Sequence, residues 1–421
     1  MIETFALSSG VTLRCFRDHR FKQGAISIQL VRPMTKEEVS QNALIPAVLL
    51  RGTQDHPDLR AITERLDDLY GASVSALVRR IGDYQTTGLY CAFMEDKYAL
   101  SGDQVLEPMV DFLRELLFAP VMEDGGFSRD FVESEKRNLI LTIESERNDK
   151  RAYAAAQLLR TMCSADSFGI PRLGTVEQTQ AIDHKSLYAH YQRILKESAV
   201  EVFYVGSEEP DRVAQLLKPL FEKVNRNYVN LPAQTPFRDG GGQHRTEQME
   251  VAQAKLCMGF VTPITNKSEE FAAMQVLNTL FGAGMTSKLF MNVREKMSLC
   301  YSIGSGYYGS KGIMTVSAGI DTAKEDVTRQ EILHQLDACR GGDISAQELK
   351  AAKEAILSGL RGVHDSPGAI ENFHGTAAIS GFPMTVPEYM AAVEAVTAEE
   401  AAQAARSLTL HSSFFLKGVA V

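Results

Sequence analysis

The chain has 421 residues, a length at which two or three domains are expected. Hydrophobic residues make up 44% of it and charged residues 23%, which excludes a disordered protein, because such a protein cannot bury enough apolar surface to offset its ordering entropy. The net charge is −9, and an acidic chain is a poor match for nucleic acid, so no nucleic-acid partner is predicted.

The cysteines and the N-terminus bear on the compartment. Six cysteines are scattered along the chain without a C-x-x-C pair, so neither a zinc knuckle nor a disulfide framework is predicted. A signal peptide has a basic region followed by a long apolar run, and the N-terminus has neither. A signal peptide is therefore not predicted. No stretch approaches the roughly 20 apolar residues of a membrane span. We therefore expect a soluble cytoplasmic protein with reduced thiols and no membrane partner.

In the first half of the chain, strand patterns alternate with helical patterns. Alternating or β-branched runs predict strands, and apolar residues at helical spacing predict helices. The predicted strands are 10–16, 25–31, 73–80, 85–93 and 201–206, and the predicted helices are 59–69, 105–117, 131–143, 152–162 and 184–194. The apolar run 43–50 contains Pro46, which argues against a central strand and is tolerated in the first turn or at a kink of a helix.

Segment 225–242 interrupts this rhythm with two prolines and three consecutive glycines, and it is predicted to be an interdomain linker. After it the order of elements repeats. The predicted strands are 254–262, 300–307, 312–320 and 413–418, and the predicted helices are 271–281, 289–296, 330–338 and 346–363. The repetition predicts two tandem homologous α+β domains, 1–224 and 243–421, each an antiparallel-rich sheet packed by helices.

Most familiar catalytic motifs are missing. No two of the nine histidines are spaced at i, i+4, as a zinc-binding helix often requires, and neither G-x-S-x-G nor a Walker A sequence occurs. Gly304 to Gly309 matches G-x-G-x-x-G, but a strand pattern follows where a dinucleotide site needs a helix. This match is therefore interpreted as a glycine-rich hairpin connection.

One remaining feature is the pair Arg294 and Tyr301. A guanidinium can donate hydrogen bonds to peptide carbonyls, and a phenol can donate to a developing oxyanion. Without further context, the alternative interpretation is structural. Arg294 would then form a salt bridge, and Tyr301 would be a hydrogen-bonded tyrosine of a strand.

The context is a family resemblance that covers essentially the whole chain. Residues 280–302 read LFGAGMTSKLFMNVREKMSLCYS, which is similar to a glycine turn, S-[RK]-L-F and R-E-K-x-x-L-x-Y-S in the second domain of pitrilysin-type inverzincin peptidases. This family includes mitochondrial processing peptidase and small bacterial two-domain members. The resemblance implies that such chains pair into a clam-shell chamber, and that Arg294 and Tyr301 reach substrate at the zinc.

The first domain departs from the family pattern where zinc should bind. In the family, H-x-x-E-H lies on a helix just before [KR]-G-T, and Arg51-Gly-Thr is the matching string here. By this register Ala43 and Ala47 replace the two zinc-binding histidines, and Pro46 replaces the general-base glutamate.

The distal zinc ligand of the family is a glutamate on a later helix. By the same resemblance its position falls near Leu141 or Thr142, while Glu144 lies close but out of register. A methyl group cannot coordinate a metal, and without a base no water is activated. The chain is thus predicted to hold no zinc and to be inactive alone.

Two interpretations of function follow from the resemblance. In the first, the chain is the non-catalytic subunit of a heterodimeric peptidase and helps to cleave unfolded peptides at the zinc of a homologous partner, although a self-dimer stays open. In the second, it is a scaffold subunit, like the core subunits of the cytochrome bc complex, or a free peptide-binding protein. The retained Arg294 and Tyr301 favour the first. The acidic net charge mildly favours basic peptides.

Overall fold

The computed structural model describes residues 2–222 and 224–418. The strands are β1 (Ile2–Ser8), β2 (Val11–Arg17), β3 (Gln23–Pro33), β4 (Ser73–Ile81), β5 (Tyr84–Met94), β6 (Met122–Glu123), β7 (Gly126–Phe127), β8 (Ala199–Gly206), β9 (His244–Met249), β10 (Ala254–Val261), β11 (Cys300–Tyr308), β12 (Ile313–Ile320) and β13 (Thr409–Gly418).

The α-helices are α1 (Val39–Leu49), α2 (Leu59–Asp68), α3 (Leu106–Phe118), α4 (Arg129–Ser145), α5 (Lys150–Met162), α6 (Val176–Gln180), α7 (His184–Glu197), α8 (Pro210–Glu222), α9 (Phe271–Asn278), α10 (Glu325–Arg340), α11 (Ala346–Arg361), α12 (Pro367–Ser380), α13 (Val386–Ala395) and α14 (Ala398–Ser407). Two further segments, Thr279–Ala283 and Leu289–Lys296, are π-helical. Within the described residues, no helix is long and apolar enough to cross a membrane.

The chain divides into two compact units. Unit 1 comprises Met1–Glu144, Pro171–Ala233 and Val363–Ile379, and unit 2 comprises Ser145–Ile170, Gln234–Gly362 and Ser380–Val421. Each unit thus takes one segment from the opposite half of the chain: α5 belongs to unit 2, and almost all of α12 belongs to unit 1. Segment 225–242, described throughout, contains neither helix nor strand. The domain bounds 1–224 and 243–421 stay a prediction.

The sheet of unit 1 is buried on both faces at its centre. Its strand order is β1-β2-β8-β3-β5-β4, in which only the pair β2–β8 is parallel among the described strands. Because side chains alternate along a strand, Ile26 and Ile28 of β3 enter the apolar core with α1, α3 and α7. Ser27 and Gln29 point the other way and donate to the buried carboxylate of Glu371 on α12 at 2.8 and 3.1 Å.

The sheet of unit 2 repeats this topology. Its order β9-β13-β10-β12-β11 corresponds strand for strand to β2-β8-β3-β5-β4, and the parallel pair, β9–β13, falls at the same place. One face is covered by α5, whose Ala154 and Leu158 cluster with Cys257, Phe414 and Leu416. The predicted duplicated α+β fold is therefore confirmed.

Most predicted elements are present within a few residues of their expected bounds. The structure differs at 279–283 and 289–296, where the predicted helices are π-helical, a form that apolar periodicity does not distinguish from an α-helix. The strands and helices that sequence reasoning missed are β1, β6, β7, α6, α8, β9, α12, α13 and α14.

Candidate functional site

Helix α1 carries the three positions where the family has its zinc motif. Pro46 lies inside this helix and not in its first turn, so it cannot donate to the carbonyl of Asn42 four residues earlier. Thr87 Oγ1 on β5 donates to that carbonyl at 2.5 Å instead, which satisfies the acceptor and lets the helix run on. Ala43 and Pro46 are buried, and Ala47 is half-buried.

These three side chains offer no metal ligand. The described residues also contain no group of three or more histidine, cysteine or carboxylate side chains that could hold a metal ion. At the predicted distal position, Leu141 is 63% exposed, and the hydroxyl of Thr142 donates to the carbonyl of Asn138 at 2.9 Å. Glu144 is exposed near the end of α4.

A directed chain of hydrogen bonds runs beside α1. Arg193 can only donate, so Nδ1 of His190 accepts from it at 2.9 Å, and Nε2–H of His190 therefore donates to Asn42 Oδ1 at 2.7 Å. Asn42 Nδ2 donates to Gln85 Oε1 at 3.0 Å, and Gln85 Nε2 donates to the carbonyls of Val39 and Arg172. Sequence reasoning missed this network. The signal that could have indicated it is Asn42, a polar residue directly before the apolar run 43–50.

The network fixes His190 as a neutral imidazole. Burial lowers its pKa to about 4, with Arg193 and Arg32 acting in the same direction and Glu38 opposing them. Each donor and acceptor of the ring already has a partner in the neutral form. Helix α1, which carries the three zinc-motif positions, is thus packed beside a fully hydrogen-bonded structural network.

We expect the free energy of unfolding to fall as the pH drops from about 6.5 towards 4. In this window the unfolded chain takes up a proton at residue 190 and the folded chain does not, so the loss from this group approaches about 3 kcal/mol. Urea unfolding across this range measures it. His190→Gln should reduce the pH dependence and leave the part due to His374, whose pKa burial also lowers to about 4, whereas the exposed control His19→Gln should leave it as in the wild type. Equal slopes in all three proteins would contradict the assignment.

Arg294 lies on the π-helical segment Leu289–Lys296 of unit 2, a helix form that is frequent at functional sites. Its guanidinium stacks over the ring of Phe290, 4.6 Å from the ring centroid, and lies 3.5 Å from the carboxylate of Glu295. Both side chains of this ion pair are partly exposed, so the pair is weak and the guanidinium keeps donors for another acceptor.

Tyr301 lies at a β-bulge at the start of β11. Cys300 pairs with Ile320 and Ser302 with Gly319, so Tyr301 is the extra residue between them. A bulge re-aims a side chain, and Tyr301 is 67% exposed although it belongs to a strand. Strand β11 packs against the segment of Arg294, so both predicted substrate-binding residues lie on adjoining elements of unit 2, while Ala43, Pro46 and Ala47 belong to unit 1.

The glycine-rich match at 304–309 has no dinucleotide geometry. Its first part lies in β11, and the chain returns directly as β12 without a helix. The hairpin interpretation is confirmed.

We expect the purified chain to contain far less than one zinc ion per molecule. Ala43, Pro46 and Ala47 present only carbon atoms, and no convergent set of ligands replaces them in the described residues. Metal analysis after purification without chelators measures this. One zinc ion per chain, lost on substitution of residues in unit 1, would contradict the expectation.

Comparisons with known proteins agree with this geometry. The family model described as the peptidase M16 inactive domain matches residues 181–356. The probable inactive metalloprotease YmfF of Bacillus subtilis is 29% identical over 97% of this chain and 96% of its own length.

Solved structures extend the likeness over the whole chain. A conserved protein from Enterococcus faecalis is 30% identical, with a TM-score of 0.93 over 99% of both chains. The peptidase M16 inactive domain from Pseudomonas fluorescens shares the fold, with a TM-score of 0.82, 15% identity and coverage of 100% of this chain and 98% of its own. The chain thus belongs to the pitrilysin-type peptidase family M16, as an inactive-type member without the zinc motif.

Proposed function

We propose that this chain is the zinc-free subunit of a two-chain metallopeptidase. In this assembly a homologous subunit with an intact H-x-x-E-H supplies the metal and the general base. The present chain supplies Arg294 to bind carbonyls of an unfolded peptide and Tyr301 to donate a hydrogen bond to the oxyanion that forms at the zinc. Neither residue can cleave a peptide without that partner.

The observation that carries this proposal is the asymmetry between the two units. In unit 1 the zinc-motif positions are alanine and proline, packed beside a fully hydrogen-bonded network. In unit 2 the family string is retained, and Tyr301 is re-aimed by a bulge and left 67% exposed beside the segment of Arg294. A pure scaffold has no need of an exposed phenol at this place.

We also propose a cytoplasmic location. The support is that all six cysteines are buried as thiols and that burial raises the pKa of Cys91 to about 12, which suits a reducing compartment but does not require one.

Co-expression with a zinc-bearing homologue from the same organism tests the assembly, and Arg294→Ala tests the contribution of this chain. The variant should raise KM for peptide cleavage by about tenfold, because a lost charged hydrogen bond of about 1.5 kcal/mol corresponds to that factor. The matched control is Arg361→Ala, which removes another exposed arginine of unit 2. A stable complex whose KM is the same for wild type, Arg294→Ala and Arg361→Ala would favour the scaffold function.

A further inference from the structure

The π-helical segment that carries Arg294 is tied to α10 through Asn292. Asn292 Nδ2 donates to Gln335 Oε1 of α10 at 2.7 Å. Gln335 is 7% exposed, and its Nε2 donates to Glu331 Oε1, about one turn earlier on α10, at 2.7 Å. An ionised carboxylate only accepts, so Glu331 fixes the orientation of the Gln335 amide, whose oxygen is left to accept from Asn292. The two hydrogen bonds thus form a directed chain from α10 to the segment.

The same asparagine takes part in the π-helical backbone pattern. The N–H of Met297 donates to the carbonyl of Asn292, five residues earlier, at 3.0 Å, which is the π-helical bond. Asn292 therefore accepts this bond with its backbone and donates to α10 with its side chain. Because an α-helix turns by about 100° per residue, a change of this turn to α-helical pairing would re-aim the side chains that follow Asn292. Arg294 follows it by two residues.

The other contacts of Arg294 do not fix its direction relative to the rest of unit 2. Its guanidinium contacts Phe290 and Glu295, which lie on the same segment and would move with it. Buried side chains of the segment, such as Val293, pack by apolar contact, which is non-directional. Tyr301, in contrast, belongs to β11 and is held by the pairing of that strand with β12. The hydrogen bond to α10 thus bears on Arg294 and not on Tyr301.

From these contacts we propose that Gln335 is a positioning residue for Arg294. It does not touch the substrate, but it holds Asn292 and so fixes the π-helical register in which the guanidinium of Arg294 binds peptide carbonyls. This inference rests on the proposed function and extends the residues needed for peptide binding from the segment to α10. Since Tyr301 is held separately, the loss of Gln335 affects the binding of peptide and not its turnover.

Peptide cleavage by the complex with the zinc-bearing homologue tests this role. Gln335→Met keeps a side chain of similar length and removes both hydrogen bonds. We expect KM to rise by about fivefold with kcat unchanged, less than the factor of about ten for Arg294→Ala, because the guanidinium is displaced and not removed. The matched control is Arg329→Met, which removes hydrogen bonds of another α10 side chain to Ser413 and Glu325 and should leave KM as in the wild type.

Further variants separate positioning from a loss of stability. Asn292→Ala breaks the same bond from a half-buried side chain and should raise KM as Gln335→Met does. In the Arg294→Ala background, Gln335→Met should change KM by less than about twofold, because the group that it positions is already absent. The exchanged pair Glu331→Gln/Gln335→Glu should keep the KM of the wild type, since the amide introduced at position 331 donates to the carboxylate introduced at position 335, which still accepts from Asn292.

The possible results separate this inference from the proposed function. If Arg294→Ala raises KM but Gln335→Met and Asn292→Ala do not, or if the effects multiply in the double variant, Gln335 does not position Arg294 and the proposed function stands. An equal rise in KM for Arg329→Met, or a raised KM in the exchanged pair, also overturns the positioning role alone. If Arg294→Ala itself leaves KM unchanged, both the proposed function and this inference fail.

Discussion

Replacing Tyr301 with phenylalanine should lower the turnover of peptide in the complex with the zinc-bearing homologue by about a hundredfold. A phenol that donates to the oxyanion contributes about 3 kcal/mol to the transition state and little to the ground state, so kcat should fall more than KM rises. The hydroxyl belongs to an exposed side chain, so we expect the melting temperature of the chain to change little.

The matched control for this prediction is Tyr308→Phe. Tyr308 is a second exposed tyrosine on β11, at 37% exposure, and lies in the regular part of the strand where pairing with Ile313 continues. Its variant should cleave at the rate of the wild type. If Tyr301→Phe also turns over at that rate while the complex still forms, the shared site is wrong and the scaffold function takes its place.

Removing Asp166 should destabilise the chain by about 3 to 5 kcal/mol, because the substitution leaves a buried ammonium without its counter-charge. Asp166 Oδ2 lies 3.0 Å from Lys311 Nζ, with the two side chains 1% and 0% exposed. Lys311 also donates to the carbonyl of Thr235 at 2.9 Å, and Asp166 accepts from the backbone N–H groups of Phe168 and Arg238. The pair thus connects three parts of unit 2, namely the turn that follows α5, the segment 225–242 and the turn between β11 and β12.

The variants to compare are Asp166→Ala, Lys311→Met and the double variant Asp166→Asn/Lys311→Met, by urea unfolding at pH 7. Lys311→Met should cost less than Asp166→Ala, because the carboxylate retains two backbone donors. The double variant should recover part of the loss, since it leaves no charge buried. Equal stability of Asp166→Ala and wild type would contradict the importance of this pair.

Sequence reasoning predicted the central strands of both sheets, because their signals are local, and missed the end strands β1 and β9. The alternation in β3 assigns Ile26 and Ile28 to one face and Ser27 to the other, and the structure places them so. It failed for α12, whose apolar residues and glycines do not form one stripe. That helix is held by tertiary contacts, above all by Glu371, which accepts two hydrogen bonds from Arg79 at 3.0 and 2.9 Å.

The sequence likewise did not predict that α5 belongs to unit 2 and almost all of α12 to unit 1. A helix pattern shows which face is apolar and not which sheet that face will cover. At the site, the sequence predicted the absence of zinc ligands at Ala43 and Ala47, because an alanine side chain cannot coordinate a metal ion. The sequence did not predict the bulge at Tyr301, because the bulge depends on the register between β11 and β12.

A reconstitution titration tests most directly whether this chain completes the active site of a zinc-bearing partner, as we propose. A fixed amount of the purified zinc-bearing homologue receives increasing amounts of this chain, and cleavage of an unfolded peptide is followed together with the zinc content of each chain. We predict no cleavage by this chain alone, and a rate that rises and saturates at one chain per zinc-bearing subunit, with the zinc on the partner. A partner that cleaves at the same rate without this chain would contradict the claim.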